Sequence, residues 1–489
     1  MTAFFAIVKL TFRSAIRSHI FRLLLFLLLF GIFLLPFTLL SDNTPKGEVQ
    51  IVLQYCLGFA GSVLCLSSVW LACAEVCNDV ETAHLHMIVV KPVRRAVVLL
   101  GKYTGVVLIH LVLLLIAAAV IYIFLAIRLS SSDISPEDRK ILDEQVLTAR
   151  SVYRPVPRDV EKEAQEELAR IIKYSEEHGR DIRMAYKSSQ GVDSTLPDDQ
   201  ILDAMYREIL DEKIKTKGLI SRGDEPLFWE FEGLPKNLSD DETVFLRYTV
   251  FVNRYYTQNQ NYVRGIWGFS ENRARKNDLG EETGVDDMTA GEAEDILTAA
   301  QNEMAVPVPP GRFIRDGKAR VAFVNLDTDT SEVNFEEGKG PFLLIREAGF
   351  FSNYCRATLV MAIGVISVTL LASAVAACMS LPIAVFFSGA YLFTGALASY
   401  TVTSIPDELN YKADYTGTFG YRFGDMLLIL VAPLQDFFVT DCLANGELVG
   451  FRFIGLLFAK DFLLRTLPVF LLGAWIYTRR ELALDAKRG

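Results

Sequence analysis

From Ala357 to Pro406 the chain runs through 50 positions without one charged side chain. Drawn out as a single helix, that run would measure ~75 Å, against the ~30 Å hydrocarbon core of a bilayer. Two antiparallel spans with a tight turn near Ser380, Leu381 and Pro382 fit far better. A chain that must bury such a hairpin in lipid is a polytopic membrane protein, and the rest of the sequence divides accordingly. Leu23–Leu40, Ile51–Ala74 and Tyr103–Ile127 are further apolar runs of spanning length. Leu463–Tyr477 is the last hydrophobic run, and the pattern leaves its start open upstream.

Between the third and fourth spans lies a polar block of roughly 220 residues. Leu129 to Asn353 carries 44 Asp+Glu and 29 Lys+Arg, a balance of −15, whereas the remainder of this −10 chain stands at +5. An acidic block argues against nucleic acid as a partner. The basic excess falls on loops that the positive-inside rule assigns to the cytoplasm. None of the seven cysteines (Cys56, Cys65, Cys73, Cys77, Cys355, Cys378, Cys442) lies in the block, so no disulfide frames that domain. Cys73 and Cys77 stand one helical turn apart with no second pair to complete a zinc site, and read as ordinary helix residues.

Residues 1–20 form an expected connector helix. Lys9, Arg13 and Arg17 recur every four residues beside an apolar stripe of Phe5, Val8, Phe12 and Ile16, which suits a helix lying among lipid headgroups. The run Leu23–Leu40 is too long for a signal peptide and no small-x-small site follows it, so it reads as a retained span. Residues 21–128 then hold spans one to three, with a basic cytoplasmic loop at 75–102. His110 sits within the third span, toward its cytoplasmic third. A histidine at that depth suggests either a substrate path or a helix-packing contact.

Because the third span leaves the cytoplasm, residues 129–353 are expected outside. Residues 129–223 read as helical: Pro157–Gly179 and Pro197–Gly218 each begin at proline and end at glycine. From about Pro226 the period changes. FWEFEG, VFLRYTVFVNRYY, NYVRGIWGF, ARVAFVNLD, EVNFEEG and PFLLIRE are short, aromatic and β-branched, and predict a β-sandwich over 224–350. RDGKA predicts a hairpin turn. Glu271–Gln301 is acidic and strand-poor, and a capping-box pattern at Thr289–Glu292 predicts a short helix there. Trp229 and Trp267, with Tyr255 and Tyr256, read either as sandwich core or as a ligand platform for sugars.

Residues 354–478 hold spans four to six. Met426–Phe438 is apolar but broken by Pro433 and Asp436, and a seventh span there would put the basic tail 479–489 outside, against the charge rule. A re-entrant or interfacial segment near 424–458 is the expectation instead. The fold class predicted is thus a polytopic α-helical membrane protein of six transmembrane helices with an inserted extracytoplasmic α+β domain containing a β-sandwich.

No GxxxxGK[ST], HExxH or GxSxG occurs, so neither a Walker A nucleotide site nor a hydrolase site is expected, and no metal site is assigned. His84 and His86 near Asp79 and Glu81 fit a solvated docking surface better than a metal set. Between the second and third spans, Glu81-Thr82, Lys91-Pro92-Val93-Arg94, Gly101-Lys102 and Gly105 follow one another. In order and spacing they resemble the loop of type-2 ATP-binding cassette (ABC) exporter permeases, which commonly read Glu-Thr, then Lys-Pro-x-x-Arg, then Gly-Lys-x-x-Gly. The Phe-x-x-Asn-x-x-Arg-Ala stretch ending at Ala357, Leu381–Phe386 and the Thr-Arg-Arg-Glu-Leu that closes the last span are similar to that family too. The match covers the membrane part, about half the chain.

The resemblance implies a permease half without an ATPase site of its own. It implies separate ATP-binding subunits that carry ATP and Mg, a second permease half, and membrane lipid as surroundings. It places Asp79, Glu81 and His84 on or beside a coupling helix, flanked by Lys91, Pro92, Arg94, Arg95 and Lys102. It implies export of an unidentified substrate across a bacterial plasma membrane, with both termini cytoplasmic. The large outer insertion departs from the family and opens two alternatives: a complex that transmits force to an envelope partner, or a membrane-anchored glycan or cell-wall binding protein.

Overall fold

Ser18 alone separates the first two helices, Thr2–Arg17 (α1) and His19–Thr38 (α2). Its hydroxyl accepts the Phe21 amide at 3.1 Å and so caps α2 while the chain turns. The computed structural model describes residues 2–39, 44–81, 94–130, 134–179, 186, 198–215, 218–221, 226–236, 238, 242–252, 262–270, 294–299, 303–308, 314, 316–326, 332–336, 338–403, 431 and 433–479. They divide into two compact units, one of Met1–Arg150 with Glu347–Gly489 and one of Ser151–Arg346.

In chain order, Pro45–Ile51 (α3) starts on a Thr44 cap, with the Gly47 amide 3.0 Å from the threonine hydroxyl. It continues through a π turn, Val52–Cys56, into Leu57–Glu81 (α4). Arg95–Leu129 (α5) follows, then Pro136–Gln145 (α6) and the strand Thr148–Tyr153 (β1).

The unit Ser151–Arg346 opens with two helices, Val160–Glu177 (α7) and Asp198–Lys215 (α8), bridged by Lys213 and Glu167 at 2.5 Å. Its strands are Leu219–Ser221 (β2), Leu227–Glu232 (β3), Val244–Thr249 (β4), Phe251–Val252 (β5), Tyr262–Ser270 (β6), Glu294–Ala299 (β7), Glu303–Val308 (β8), Lys318–Asn325 (β9), Glu332–Asn334 (β10) and Phe342–Gly349 (β11). Two four-stranded sheets, β1-β11-β4-β8 and β3-β9-β6-β7, enclose one core, and β2-β10-β5 forms a smaller third sheet. A sandwich was expected over 224–350, but β1 and β2 come from the stretch 129–223 expected to be helical.

Three local expectations change. The stretch after Thr289–Glu292 is strand β7, paired antiparallel with β6, because an edge ladder overrides a local capping pattern. Asp316 and Gly317 do take the positive φ values (53° and 78°) of the predicted turn. The strands on either side of it do not pair with each other, since β8 joins β4 while β9 joins β3 and β6. VFLRYTVFVNRYY divides at Val250, with β4 in one sheet and β5 on β10.

The chain returns in Phe350–Cys378 (α9) and Leu381–Thr403 (α10). After a 3₁₀ turn at Leu434–Phe437 come Thr440–Ala444 (α11) and Phe451–Leu457 (α12), a π stretch at Phe458–Thr466, and Leu467–Arg479 (α13). Helical backbone is unbroken from 451 to 479, so Leu463–Tyr477 is the second half of a longer helix. Among the described residues, four helical stretches are long and apolar enough to cross a membrane: His19–Thr38, Pro45–Cys77, Arg95–Leu129 and Phe350–Cys378.

Helix α9 is the hub of this unit. Cys73 and Cys77 on α4 point their thiols at its Ala372 and Ala376 carbonyls, 3.8 and 3.7 Å away. Gly473 on α13 meets it so closely that a Cβ there would stand 2.8 Å from the Ala374 carbonyl oxygen. The segment predicted to be re-entrant is described from 433 onward and packs into the unit. Phe437 lies over Gly364 of α9 and Phe438 over Gly61 of α4, where added Cβ atoms would meet the rings at 2.9 and 2.2 Å. Asn353 holds its far end. This fully buried side chain donates to the Glu447 carbonyl at 2.6 Å and accepts the Val449 amide at 2.8 Å.

Candidate functional site

The basic loop predicted to dock a partner is framed by the end of α4 and the start of α5. Asp79 and Glu81 lie in the last turns of α4, with side chains outside the described residues, and His84, Lys91 and Pro92 lie outside them altogether. Arg94 is the exposed N-cap of α5, and half-buried Arg95 is its first residue. No acidic side chain stands in that first turn. Two cations at the positive end of a 35-residue helix concentrate positive potential at the mouth of the loop.

Lys102 is different. At 8% exposure it is buried. Its Nζ donates to the Glu75 carbonyl oxygen at 2.5 Å and lies 3.9 Å from the Glu75 carboxylate. It therefore braces α5 to α4 beneath the loop and is not part of an exposed flank.

The glycines on either side of Lys102 seat α1. A Cβ at Gly101 would stand 2.9 Å from the Ile7 side chain, and one at Gly105 would stand 2.7 Å from Thr11 and 3.3 Å from the Val8 carbonyl oxygen. Four residues apart, they form the small-x-x-x-small face that lets two helix backbones close. One short motif thus ties α5 to α1 through its glycines and to α4 through its lysine. Comparisons of the chain with protein-family models, curated proteins and solved structures find no match.

His110 lies one and a half turns further along α5 and is buried. Its Nδ1 is 2.9 Å from the Val106 carbonyl oxygen and its Nε2 3.1 Å from the Ser67 hydroxyl of α4. Both ring nitrogens are engaged, and the cavity beside it measures about 20 Å³, room for a water at most. The geometry among the described residues is that of a helix-packing contact.

The aromatic platform is corrected as well. Trp267 is fully buried, stacked among Trp229, Tyr248, Phe323 and Phe335 with ring centroids 4.6 to 5.6 Å away. Trp229 packs edge-on to Phe335 at 4.9 Å. These rings are sandwich core: on an antiparallel sheet, aromatic side chains bury most area when they face the opposing sheet.

One constellation escaped the sequence reading. Asp461, with no exposed side-chain surface, holds Arg465 at 2.5 Å one turn later in the π stretch, and its second carboxylate oxygen has no hydrogen-bond partner. The signal was present as Asp and Arg four apart, with Asp461 just ahead of the apolar run Leu463–Tyr477 and Arg465 inside it. Among the described residues, no three His, Cys, Asp or Glu side chains gather as a metal site would require.

Proposed function

We propose that this chain is the membrane-spanning half of a type-2 ABC exporter, moving an unidentified substrate with ATP hydrolysed by separate subunits. The observation that carries the reading is the linkage at Gly101, Lys102 and Gly105. Helix α1, α4 and α5 are clamped together where the loop leaves the unit. A rigid-body push on such a loop is passed into three helices at once instead of being absorbed by a flexible connection. Arg94 and Arg95 offer the positive half of a charged docking surface, with Asp79 and Glu81 on the opposite side of the loop.

Six spans accord with the packing. Helix α10 and the run Phe451–Arg479 add two to the four long apolar helices. The Asn353 clamp sets residues 447–449 beside the start of α9, so that 451–479 runs parallel to α9 and returns to the side of the loop. Both termini then share the cytoplasmic side with the basic loop. A second reading, force transmission to an envelope partner, is favoured by one feature: the unit Ser151–Arg346 has a hydrophobic core of its own.

The deciding experiment is purification of the tagged chain from its native cell in mild detergent, with identification of what accompanies it. ATP hydrolysis is then assayed for wild type and for charge reversals at Glu81 and Arg94. A P-loop ATPase that co-purifies and is lost in both variants supports the exporter reading. An intact, folded preparation without any ATPase refutes it.

A further inference from the structure

Near the end of the membrane unit where α2 finishes, α2, α3 with its π turn, and the last turns of α5 do not close on one another. Between them lies a cavity of about 250 Å³. Its walls are apolar, from Pro36 and Phe37 of α2, Val49 and Val52 of the second helix, and Phe124 and Leu125 of α5. The gap has a local cause. Of the side chains of α2, Leu28 and Ile32 are the buried ones, and past Ile32 the last turns, which contain Pro36, are only partly buried or exposed. An apolar cavity of ~150 Å³ already binds a benzene-sized molecule in preference to water. This larger one has the volume for part of an acyl chain.

The rim adds a headgroup. Arg128 places both Nε and Nη2 on the same oxygen of Glu48, Oε2, at 3.2 and 2.7 Å. The guanidinium nitrogen Nη1 and the other carboxylate oxygen, Oε1, take no part in that pair. Both side chains are solvent-accessible, at 55% and 39%. The rim therefore offers one free cationic donor edge beside one free anionic acceptor, spaced by a single ion pair. Phosphate suits the first and a primary ammonium the second.

We propose that this cavity is a binding site for one phospholipid with a zwitterionic, primary-amine headgroup: an acyl chain between α2 and α5, phosphate on Arg128, ammonium on Glu48. A lipid lacking the amine would satisfy Arg128 and leave Glu48 facing the phosphate. A quaternary amine would reach Glu48 without an N–H to donate. The site is independent of the exporter reading, because it needs no ATPase and no particular sidedness.

The test is native mass spectrometry on the full chain, purified and delipidated in detergent. It is titrated separately with phosphatidylethanolamine, phosphatidylcholine and phosphatidylglycerol of identical chains. The expectation is one retained phosphatidylethanolamine per chain, about tenfold tighter than phosphatidylglycerol, as a charge-assisted hydrogen bond implies. Glu48→Gln should erase that preference and Arg128→Gln should weaken all three lipids. Both positions are exposed, so folding is not at stake. Equal binding of the three lipids by wild type, a preference that survives Glu48→Gln, or no retained lipid would each overturn the proposal.

Discussion

Asn353→Ala tests how the helix from 451 is held. The wild-type amide makes two hydrogen bonds from a fully buried position, 2.6 Å to the Glu447 carbonyl and 2.8 Å from the Val449 amide. Alanine leaves the Val449 N–H without its acceptor and removes a donor from the Glu447 carbonyl, at a site that water does not reach. A buried polar group stripped of its partner costs about 1–3 kcal/mol, so the variant should weaken the segment by about 3 kcal/mol. The loss is local, because Gly446 and Leu448 remain bonded to the two sides of Arg150 at 2.8 Å each. Hydrogen exchange read by mass spectrometry on a peptide covering 440–450 reports it directly. Opening should become more frequent by about two orders of magnitude, while peptides from the β-sandwich keep their wild-type protection. Asn353→Asp, which keeps the acceptor but loses the donor, should also lose protection. Exchange within threefold of wild type in the alanine variant would refute the clamp.

Other substitutions probe the packing at three places. Gly105→Leu should displace α1 and cost about 1–3 kcal/mol, whereas Gly58→Leu, with open space around its Cβ, should be tolerated; monodispersity and thermal denaturation in detergent separate the two. Trp267→Ala should cost about 3–5 kcal/mol in the unit Ser151–Arg346 and lower its melting transition, and a binding defect toward glycans without loss of fold would argue for the platform instead. Arg465→Met, which strands the Asp461 carboxylate, should cost about 3–5 kcal/mol, and the double variant Asp461→Leu with Arg465→Met should recover most of it; equal losses in single and double variants would contradict the pairing.

Periodicity and charge made the large divisions of this chain legible. A run without charge has few fates, so Ala357–Pro406 announced its turn near Ser380, and α9 and α10 meet there. Strand-period segments likewise announced a sandwich. Strand order, third-sheet formation and β7 were not legible, because they follow from which edges remain open after distant strands have paired. No local window contains that information. Trp267 illustrates the limit from the other side: the residue type fits both a platform and a core, and only the position of the facing sheet decides.

The Gly-Lys-x-x-Gly motif and the last helix failed and succeeded for the same physical reason. A motif names residues without saying which way they point. Lys102 was legible as a cation and therefore counted with the exposed flank, yet a helix of 35 residues turns it inward toward Glu75, where its charge braces two helices. Asp461 and Arg465 were legible as charges too, one just ahead of the run Leu463–Tyr477 and one inside it, but not as a pair. Placed one turn apart they neutralise each other, and the helix carries them through the unit. In lipid the sign and spacing of charges matter more than their number. A pair at i and i+4 should be read as a continuation of a span, and a lysine between two glycines as a helix-packing device until its exposure is known.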